Sequence, residues 1–301
     1  ASARGLKNIE WIHASLLDIP KLHLGKFDYI NCMGVLHHLD SPTQGLTCLE
    51  SVLADDGAMA LMVYGRYGRL GVTIVQDMLK IILEKENDIT EKIKVATALL
   101  HSLSPTNAYM LGRDRSYVLR TLMDDPNNLA DIFLHPCDHP FTASEFESMI
   151  EQCGLSLSVF TTYDGNPAVT RLQYNPVFMA EDIAIKPYLA KLPFAKQIDI
   201  AEMMDGSLHL HTAYVSRRKK GAIAEFSDSQ NVPFLPTTYA ECAISALKVS
   251  GQDGLVVQLS NGCLMQLRPT ASTLAFLRAI NGQSSLGEIL PMLKHEGYVL
   301  T

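Results

Sequence analysis

Residues 27–39 read FDYINCMGVLHHL, and this stretch decides the fold. Its first part, residues 27–32, is rich in apolar and aromatic side chains and predicts a β-strand. Gly34 follows directly, and a residue without a Cβ atom allows the backbone to approach a ligand closely. The stretch therefore predicts a strand that leads into a turn built for close approach.

Strand and helix patterns alternate on both sides of this stretch. Residues 8–15 place apolar side chains on alternate positions, which predicts a strand, and residues 16–20 then predict a loop. Leu46 and Leu49 belong to one helical face, and residues 58–64 form an apolar run after Gly57. Alternation over short connections predicts an α/β fold with a mainly parallel sheet and helices on its faces.

Two helical insertions and two further strands follow in the sequence. The periodicity of apolar residues predicts helices within 66–122 and again within 177–204. Thr142 to Glu145 read TASE, a capping box that predicts the start of a helix closed by Gly154. Strands are expected at 155–163 and 208–216.

The final part of the chain is expected to be a separate small α+β module. We predict a main domain at 1–221, a linker at 222–238 and a module at 239–301. The module's pattern predicts strands near 255–259 and 264–267, an Asn261-Gly262 turn, and then a helix.

Composition excludes several classes of protein. The net charge is −7 and the pI about 5.8, so no broad cationic surface is available for nucleic acid or an anionic membrane. The 6 cysteines are scattered and include no CxxC pair, which is typical of reduced thiols in a cytoplasmic protein. No apolar stretch reaches the length of a membrane span, and we expect neither a membrane nor a metal partner.

The order of strand, acidic loop, strand, GVLHHL, helix, Gly57 and strand resembles the second half of class I S-adenosylmethionine-dependent methyltransferases, over roughly residues 1–217. The resemblance implies a partial Rossmann-like sheet that contains the family's strands 3–7 and lacks strands 1 and 2. It also implies S-adenosylmethionine as cofactor.

The resemblance implies a set of cofactor contacts. The backbone leaving the strand, at Cys32, Met33, Gly34 and His37, is expected to pass the methionine end of the cofactor. Asp18 is expected to accept from the adenine amino group and Leu17 to cover the adenine ring. Taken without the resemblance, Asp18 is equally an ordinary turn or helix-capping residue.

Other candidates come from the ends of the predicted strands. His37 and Tyr64 are the candidate catalytic residues, and His37 is equally a pocket or helix-start residue. Tyr64, Arg66 and Arg69 follow a strand at its carboxyl end and are candidates for substrate binding, although the arginines are also compatible with a solvated turn. Weaker candidates are His135, Asp138, His139 and Tyr163.

The glycine-rich turn and the ribose-binding carboxylate of the family do not occur in this sequence. With sheet order 3-2-1-4-5-7-6, the absence of strands 1 and 2 leaves a gap of roughly 14 Å between the third and fourth strands, at a spacing of about 4.8 Å. We therefore expect a chain truncated at its beginning, and an unpaired or rearranged edge at residues 27–32.

Two functions remain open from the sequence. One is a methyltransferase acting on a small molecule, a peptide or a tRNA, with the present chain a weak binder of cofactor. The other is a binding or regulatory module that keeps the fold without turnover. The run from Asn281 to Ile289 resembles winged-helix or PqqD-like peptide-binding domains, which implies a peptide partner, although a packing appendage is the alternative.

Overall fold

The computed structural model describes residues 7–111, 126–161, 173–217, 229–233, 255–258, 264–267 and 270–298. The chain divides into two compact units, Ala1–Lys220 and Gly221–Thr301. Each unit is described by itself.

The first unit is built on a four-stranded mixed sheet. Its strands are β1 (Phe27–Met33), β2 (Leu53–Tyr64), β3 (Ser156–Thr161) and β4 (Leu210–Ser216), in the spatial order β1-β2-β4-β3. Strand β1 pairs with β2 in parallel, whereas β4 is antiparallel to both of its neighbours. This order reproduces the 4-5-7-6 part of the expected sheet, so the predicted α/β class and partial Rossmann-like architecture are confirmed.

The strand predicted at residues 8–15 is wrong. Residues 7–15 form no strand in the structure and are all exposed, and Trp11 is 78% exposed. A strand needs a neighbour with which to exchange backbone hydrogen bonds, and the described residues place no strand beyond β1. The alternation of apolar residues at 8–15 is therefore insufficient to form a strand. Strand β1 is an edge of the described sheet.

Helices cover the sheet and form the insertions. The first unit contains α1 (Pro42–Ser51), α2 (Leu70–Ile82), α3 (Ile89–Ser102), α4 (Pro126–Leu134), α5 (Ala143–Gln152), α6 (Pro176–Met179), α7 (Lys186–Ala190) and α8 (Phe194–Asp205). Helices α2, α3 and α4 share a small apolar core of their own, which includes Val75, Leu100 and Phe133. The insertion predicted at 66–122 thus carries helices, and its residues 112–122 lie outside the described part of the chain.

The capping box predicted at the start of α5 is confirmed. The Thr142 hydroxyl accepts from the Glu145 backbone N–H at 3.2 Å, and the Glu145 carboxylate accepts from the Thr142 N–H at 2.8 Å. These bonds satisfy donors that every helix start leaves free. Gly154 follows the helix with φ of +73°, as expected for a closing glycine.

The main core lies between the sheet and helices α1, α5 and α8. Leu36, Leu61, Phe146 and Ile198 are fully buried in it. The apolar faces of the strands and helices meet there, which fixes the carboxyl ends of β1 and β2 side by side.

The second unit contains an antiparallel hairpin and two helices. Strands β5 (Leu255–Gln258) and β6 (Leu264–Leu267) pair, and α9 (Ala271–Ala279) and α10 (Leu286–His295) follow. The Asn261-Gly262 turn and most of the predicted linker 222–238 lie outside the described residues. None of the helices in the described ranges is long and apolar enough to cross a membrane.

Candidate active site

Residues 135–141, which we term the crossing segment, run over the carboxyl ends of β1 and β2. The N–H of His139 donates to the carbonyl of His37 at 2.9 Å, and the N–H of Phe141 donates to the carbonyl of Tyr64 at 2.8 Å. The crossing segment therefore brings residues distant in sequence to the sheet edge where open α/β folds bind ligands.

The turn after β1 leaves its backbone accessible. Cys32 is buried, Met33 and Gly34 are half-buried, and Val35 is 39% exposed. Gly34 has φ of +76°, and a Cβ atom added there would meet nothing closer than the Met62 methyl at 3.6 Å. The space beside Gly34 is thus open, as a close approach by a ligand requires.

Leu17 and Asp18 lie in a short 3-10 helix, Leu16–Lys21, that packs against α1. A Cβ atom added to Gly45 of α1 would come within 3.4 Å of the side chains of Leu16 and Leu36, so the close packing at Gly45 places this short helix beside the turn after β1. Asp18 pairs with Lys21 at 2.8 Å, and both side chains are exposed. An exposed pair of this kind contributes little and leaves the carboxylate available.

His37 lies beneath the crossing segment and is fully buried. Its ring stacks on Tyr64 with a centroid distance of 3.8 Å. Burial, together with the neighbouring His38, lowers the pKa of His37 to about 3. The imidazole is therefore neutral at physiological pH and a weak proton acceptor.

Arg69 covers the other side of Tyr64. Its guanidinium carbon lies 3.6 Å from the centre of the Tyr64 ring, and its Nη2 donates to Asp138 at 3.0 Å. Gln76 donates to the same Asp138 oxygen at 2.8 Å. Burial raises the pKa of the Tyr64 hydroxyl, and the nearby carboxylate of Asp131 adds to that shift. Both faces of the Tyr64 ring are therefore occupied by protein groups.

Arg66 is placed differently from Arg69. It pairs with Glu145 at 2.7 Å and donates to the carbonyl of Pro140 at 3.2 Å, and its side chain is 43% exposed. Of the two arginines predicted to meet substrate, Arg66 is partly exposed and lines a cavity of about 480 Å³, whereas the guanidinium of Arg69 is committed to Asp138 and Tyr64.

The candidates from the crossing segment lie at the same sheet edge. The ring of His135 contacts the ring of His38 in a tilted arrangement with centroids 3.9 Å apart, and the carbonyl of Cys137 lies 2.9 Å from Nδ1 of His38. Asp138 and His139 line two cavities, of about 400 and 480 Å³. Tyr163 lies outside the described residues. In the described ranges, no three His, Cys, Asp or Glu side chains could hold a metal ion together.

The sequence interpretation missed Glu202, a fully buried carboxylate that supports this edge. Its oxygens accept from the N–H groups of Tyr67 at 3.2 Å and Ala143 at 2.9 Å, and lie 3.3 Å from Nε2 of His211. Nδ1 of His211 lies 2.7 Å from the hydroxyl of Tyr174, whose pKa burial raises well above its usual value. The sequence did contain a signal for a buried carboxylate: Glu202 lies four residues after Ile198, on the same face of helix α8, and the apolar side chain of Ile198 is buried.

Comparisons with known proteins place this geometry in context. Residues 1–61 match the model of a family described as methyltransferase domain. An uncharacterized protein of a Synechococcus species is 29% identical over 157 residues, which are 52% of this chain and 37% of that protein.

Two solved structures cover almost the whole chain. The structure of PKMT2 from Rickettsia typhi in complex with AdoHcy has a TM-score of 0.56 and 16% identity, and covers 97% of this chain and 60% of its own. A second structure of PKMT2 from Rickettsia typhi has a TM-score of 0.54 and 14% identity, and covers 98% of this chain and 60% of its own.

The chain thus spans 37% of the curated relative and 60% of each of the two solved neighbours. The match at residues 1–61 and the sheet order agree with each other, and both confirm the resemblance to class I methyltransferases, whereas the resemblance of residues 281–289 to peptide-binding domains stays a prediction. The chain has the class I methyltransferase fold, and its first 61 residues match a methyltransferase domain.

Proposed function

We propose that the protein is an S-adenosylmethionine-dependent methyltransferase whose cofactor lies along the turn after β1. One observation carries the proposal: Gly34 has a left-handed backbone and open space at the carboxyl end of β1, in a sheet with the order of this fold. The AdoHcy bound to the Rickettsia typhi neighbour supports the same ligand class.

The residues at this edge fit such a cofactor. Met33 and Gly34 would face its methionine part, and the exposed carboxylate of Asp18 would accept from the adenine amino group. Leu17, which is 37% exposed, offers an apolar surface for the adenine ring. The bound cofactor would supply an electrophilic methyl group on a sulfonium.

The buried groups beside the turn keep the local charge balanced. His37 is neutral because of its lowered pKa, and the positive charge of Arg69 is offset by Asp138 at 3.0 Å. A cationic sulfonium is therefore not opposed by an unpaired cation at this edge. Positioning of the reactants contributes much of the rate in such a transfer.

His37 and Tyr64 act in this proposal by position rather than by proton transfer. A pKa near 3 makes His37 a poor base, and the ring of Tyr64 is enclosed between His37 and Arg69. Their stack holds the carbonyls of His37 and Tyr64, to which the crossing segment is bonded. The substrate, whether small molecule, peptide or tRNA, would approach along the crossing segment.

Calorimetric titration of the natural full-length protein with S-adenosylmethionine and S-adenosylhomocysteine tests the proposal. Gly34→Ala should weaken binding by about tenfold or more, because the added methyl occupies the approach to the backbone. Gly154→Ala is the matched control, since Gly154 has a similar φ of +73° and a Cβ atom added there would meet nothing within 4 Å, away from the carboxyl ends of β1 and β2.

Three outcomes separate the alternatives. Binding that Gly34→Ala weakens and Gly154→Ala does not supports the cofactor site. Absence of binding by the full-length protein refutes the proposal. Binding of both ligands without methyl transfer to any small-molecule, peptide or tRNA fraction favours a regulatory module that retains the fold.

A further inference from the structure

Three buried polar atoms, one in the crossing segment and two beneath it, have no hydrogen-bond partner in the described part of the chain. They are both ring nitrogens of His37 and Oδ1 of Asp138. His37 is fully buried, and the Asp138 side chain is 8% exposed. Because buried polar atoms are nearly always paired in folded proteins, unpaired atoms of this kind indicate a place for a ligand group or a water molecule.

The surroundings of Asp138 fix which atom is available. Arg69 and Gln76 both donate to Oδ2, at 3.0 and 2.8 Å. These two bonds hold the carboxylate in one orientation and leave Oδ1 with its full capacity to accept. The next residue, His139, donates its N–H to the carbonyl of His37 at 2.9 Å, which places the unpaired atoms in one neighbourhood.

The cavity of about 480 Å³ offers the route to this neighbourhood. It is lined by Asp138 together with Pro42 and Thr43, which begin α1 just after the turn that follows β1. The other cavity bordered by Asp138 lies among the insertion helices and includes Lys80 and Lys92. The cavity of about 480 Å³ is therefore the one next to the sheet edge where the cofactor is proposed to bind.

Charge decides the kind of group that fits. The charge of Asp138 is already offset by Arg69, the other charged pair lining the cavity, Arg66 and Glu145, is balanced at 2.7 Å, and His37 is neutral, so the site does not require a cation. An anion would be repelled by Oδ1, and a group that only accepts hydrogen bonds would leave Oδ1 unpaired. A neutral N–H or O–H donor satisfies the site.

We propose that Asp138 forms an acceptor subsite that binds a neutral N–H or O–H group of the methyl acceptor through Oδ1, reached from the cavity of about 480 Å³. This inference rests on the proposed function and names its substrate class. Oδ1 is buried in this structure, so binding requires a small outward shift of the crossing segment.

Pyrrole and furan test the subsite, because they have nearly the same shape but only pyrrole donates a hydrogen bond. Binding of each to the natural full-length protein is measured by NMR, with the histidine rings labelled with nitrogen-15. We expect pyrrole to bind at least about tenfold more tightly than furan, with a shift of the His37 signals, since a hydrogen bond to a charged acceptor gives about ten- to a hundredfold.

Asp138→Asn sharpens the test. Arg69 and Gln76 need an acceptor at the Oδ2 position, so the asparagine carbonyl is held there and its NH2 group replaces Oδ1. The preference for pyrrole should then disappear. Asp55→Asn, which changes an exposed carboxylate at the far end of β2, is the matched control and should keep the preference.

Equal binding of pyrrole and furan to the unmodified protein overturns the inference, as does an unchanged preference in Asp138→Asn. The comparison in the unmodified protein stands even where the variant fails to fold. Calorimetry with S-adenosylhomocysteine on the same sample separates the two proposals: binding of that ligand without pyrrole selectivity removes the subsite alone, whereas its failure to bind refutes the proposed function.

Discussion

Replacing Glu202 by alanine should destabilise the first unit more than any exposed glutamate substitution does. The carboxylate is fully buried and accepts from the backbone N–H groups of Tyr67 and Ala143. Tyr67 lies just after β2, and Ala143 is the first residue of helix α5. Glu202 therefore connects α8 to both of these segments. The alanine variant leaves both donors without this acceptor.

The magnitude follows from these two donors. A buried donor left unpaired costs about 1–3 kcal/mol, and since the Ala143 N–H is buried and the Tyr67 N–H is part-buried, the pair predicts a loss of about 1–6 kcal/mol in the free energy of unfolding. His211 also loses the oxygen that lies 3.3 Å from its Nε2, but it keeps the carbonyl of Phe141 at 3.2 Å. We therefore assign no further loss to His211.

Glu151→Ala is the matched control, because Glu151 is an exposed helical glutamate in α5. An exposed change of this kind is usually worth less than about 0.5 kcal/mol. Urea unfolding should be followed by far-ultraviolet circular dichroism, since the single tryptophan, Trp11, is 78% exposed and reports poorly on the core. A difference below about 1 kcal/mol between the two variants would refute the role given to Glu202.

Three further predictions concern stability and reactivity. The pKa of His37 falls from 6.5 to about 3 on folding, so the unfolded chain binds the extra proton and stability falls as the pH drops from about 6.5 towards 3. In urea titrations at pH 6, 5 and 4, His37→Phe should reduce this loss by up to about 1.4 kcal/mol per pH unit, and an unchanged slope would contradict the burial argument. Thr142→Ala should cost about 1 kcal/mol because the capping box is lost, while Ser148→Ala at an exposed position of the same helix should cost less; equal losses would show that the cap is not stabilising. Burial raises the pKa of Cys32 to about 11, so iodoacetamide should label it more slowly than the half-buried Cys153 in the native protein, and peptide mass spectrometry that finds equal rates would contradict its burial.

Local sequence patterns predicted the elements in which the residues of the pattern themselves form the helix cap or the buried surface. The capping box at Thr142 and Glu145 is formed within four residues, and its geometry in the structure is the expected one. The apolar run at 58–64 forms the carboxyl-terminal part of β2, and its own side chains from Met59 to Val63 are buried, although the hydrogen bonds of the strand come from β1 and β4. In these cases the residues named by the pattern supply the hydrogen bonds or the buried surface themselves.

The strand predicted at 8–15 failed for the opposite reason. A strand is stabilised by partners that its own sequence does not contain, and the described sheet offers none beyond β1. Alternation of Ile9 and Trp11 indicates that these side chains could share a face. It cannot indicate whether a neighbouring strand is present to bury that face.

The candidate site shows the same limit: the sequence indicates which residue types follow a strand, but not which distant partners they meet. Tyr64, Arg66 and Arg69 were expected together because they follow one strand, and the sequence gives no reason to separate the two arginines. The structure separates them through distant partners: Arg69 meets Asp138 across 69 positions, and Arg66 meets Glu145 near the surface.

This pairing explains why Asp138 matters more than its place in the sequence indicates. Arg69 without Asp138 would be an unpaired buried cation, and Asp138 without Arg69 an unpaired buried anion, so the two side chains are retained at this edge together. Arg69 uses only one oxygen of the carboxylate, and the second oxygen remains unpaired in the described part of the chain. A structural ion pair thereby holds a buried, unpaired hydrogen-bond acceptor in the segment that is bonded to His37, just after the turn at Gly34. The chemistry proposed for the site thus depends on a contact that no local pattern in the sequence encodes.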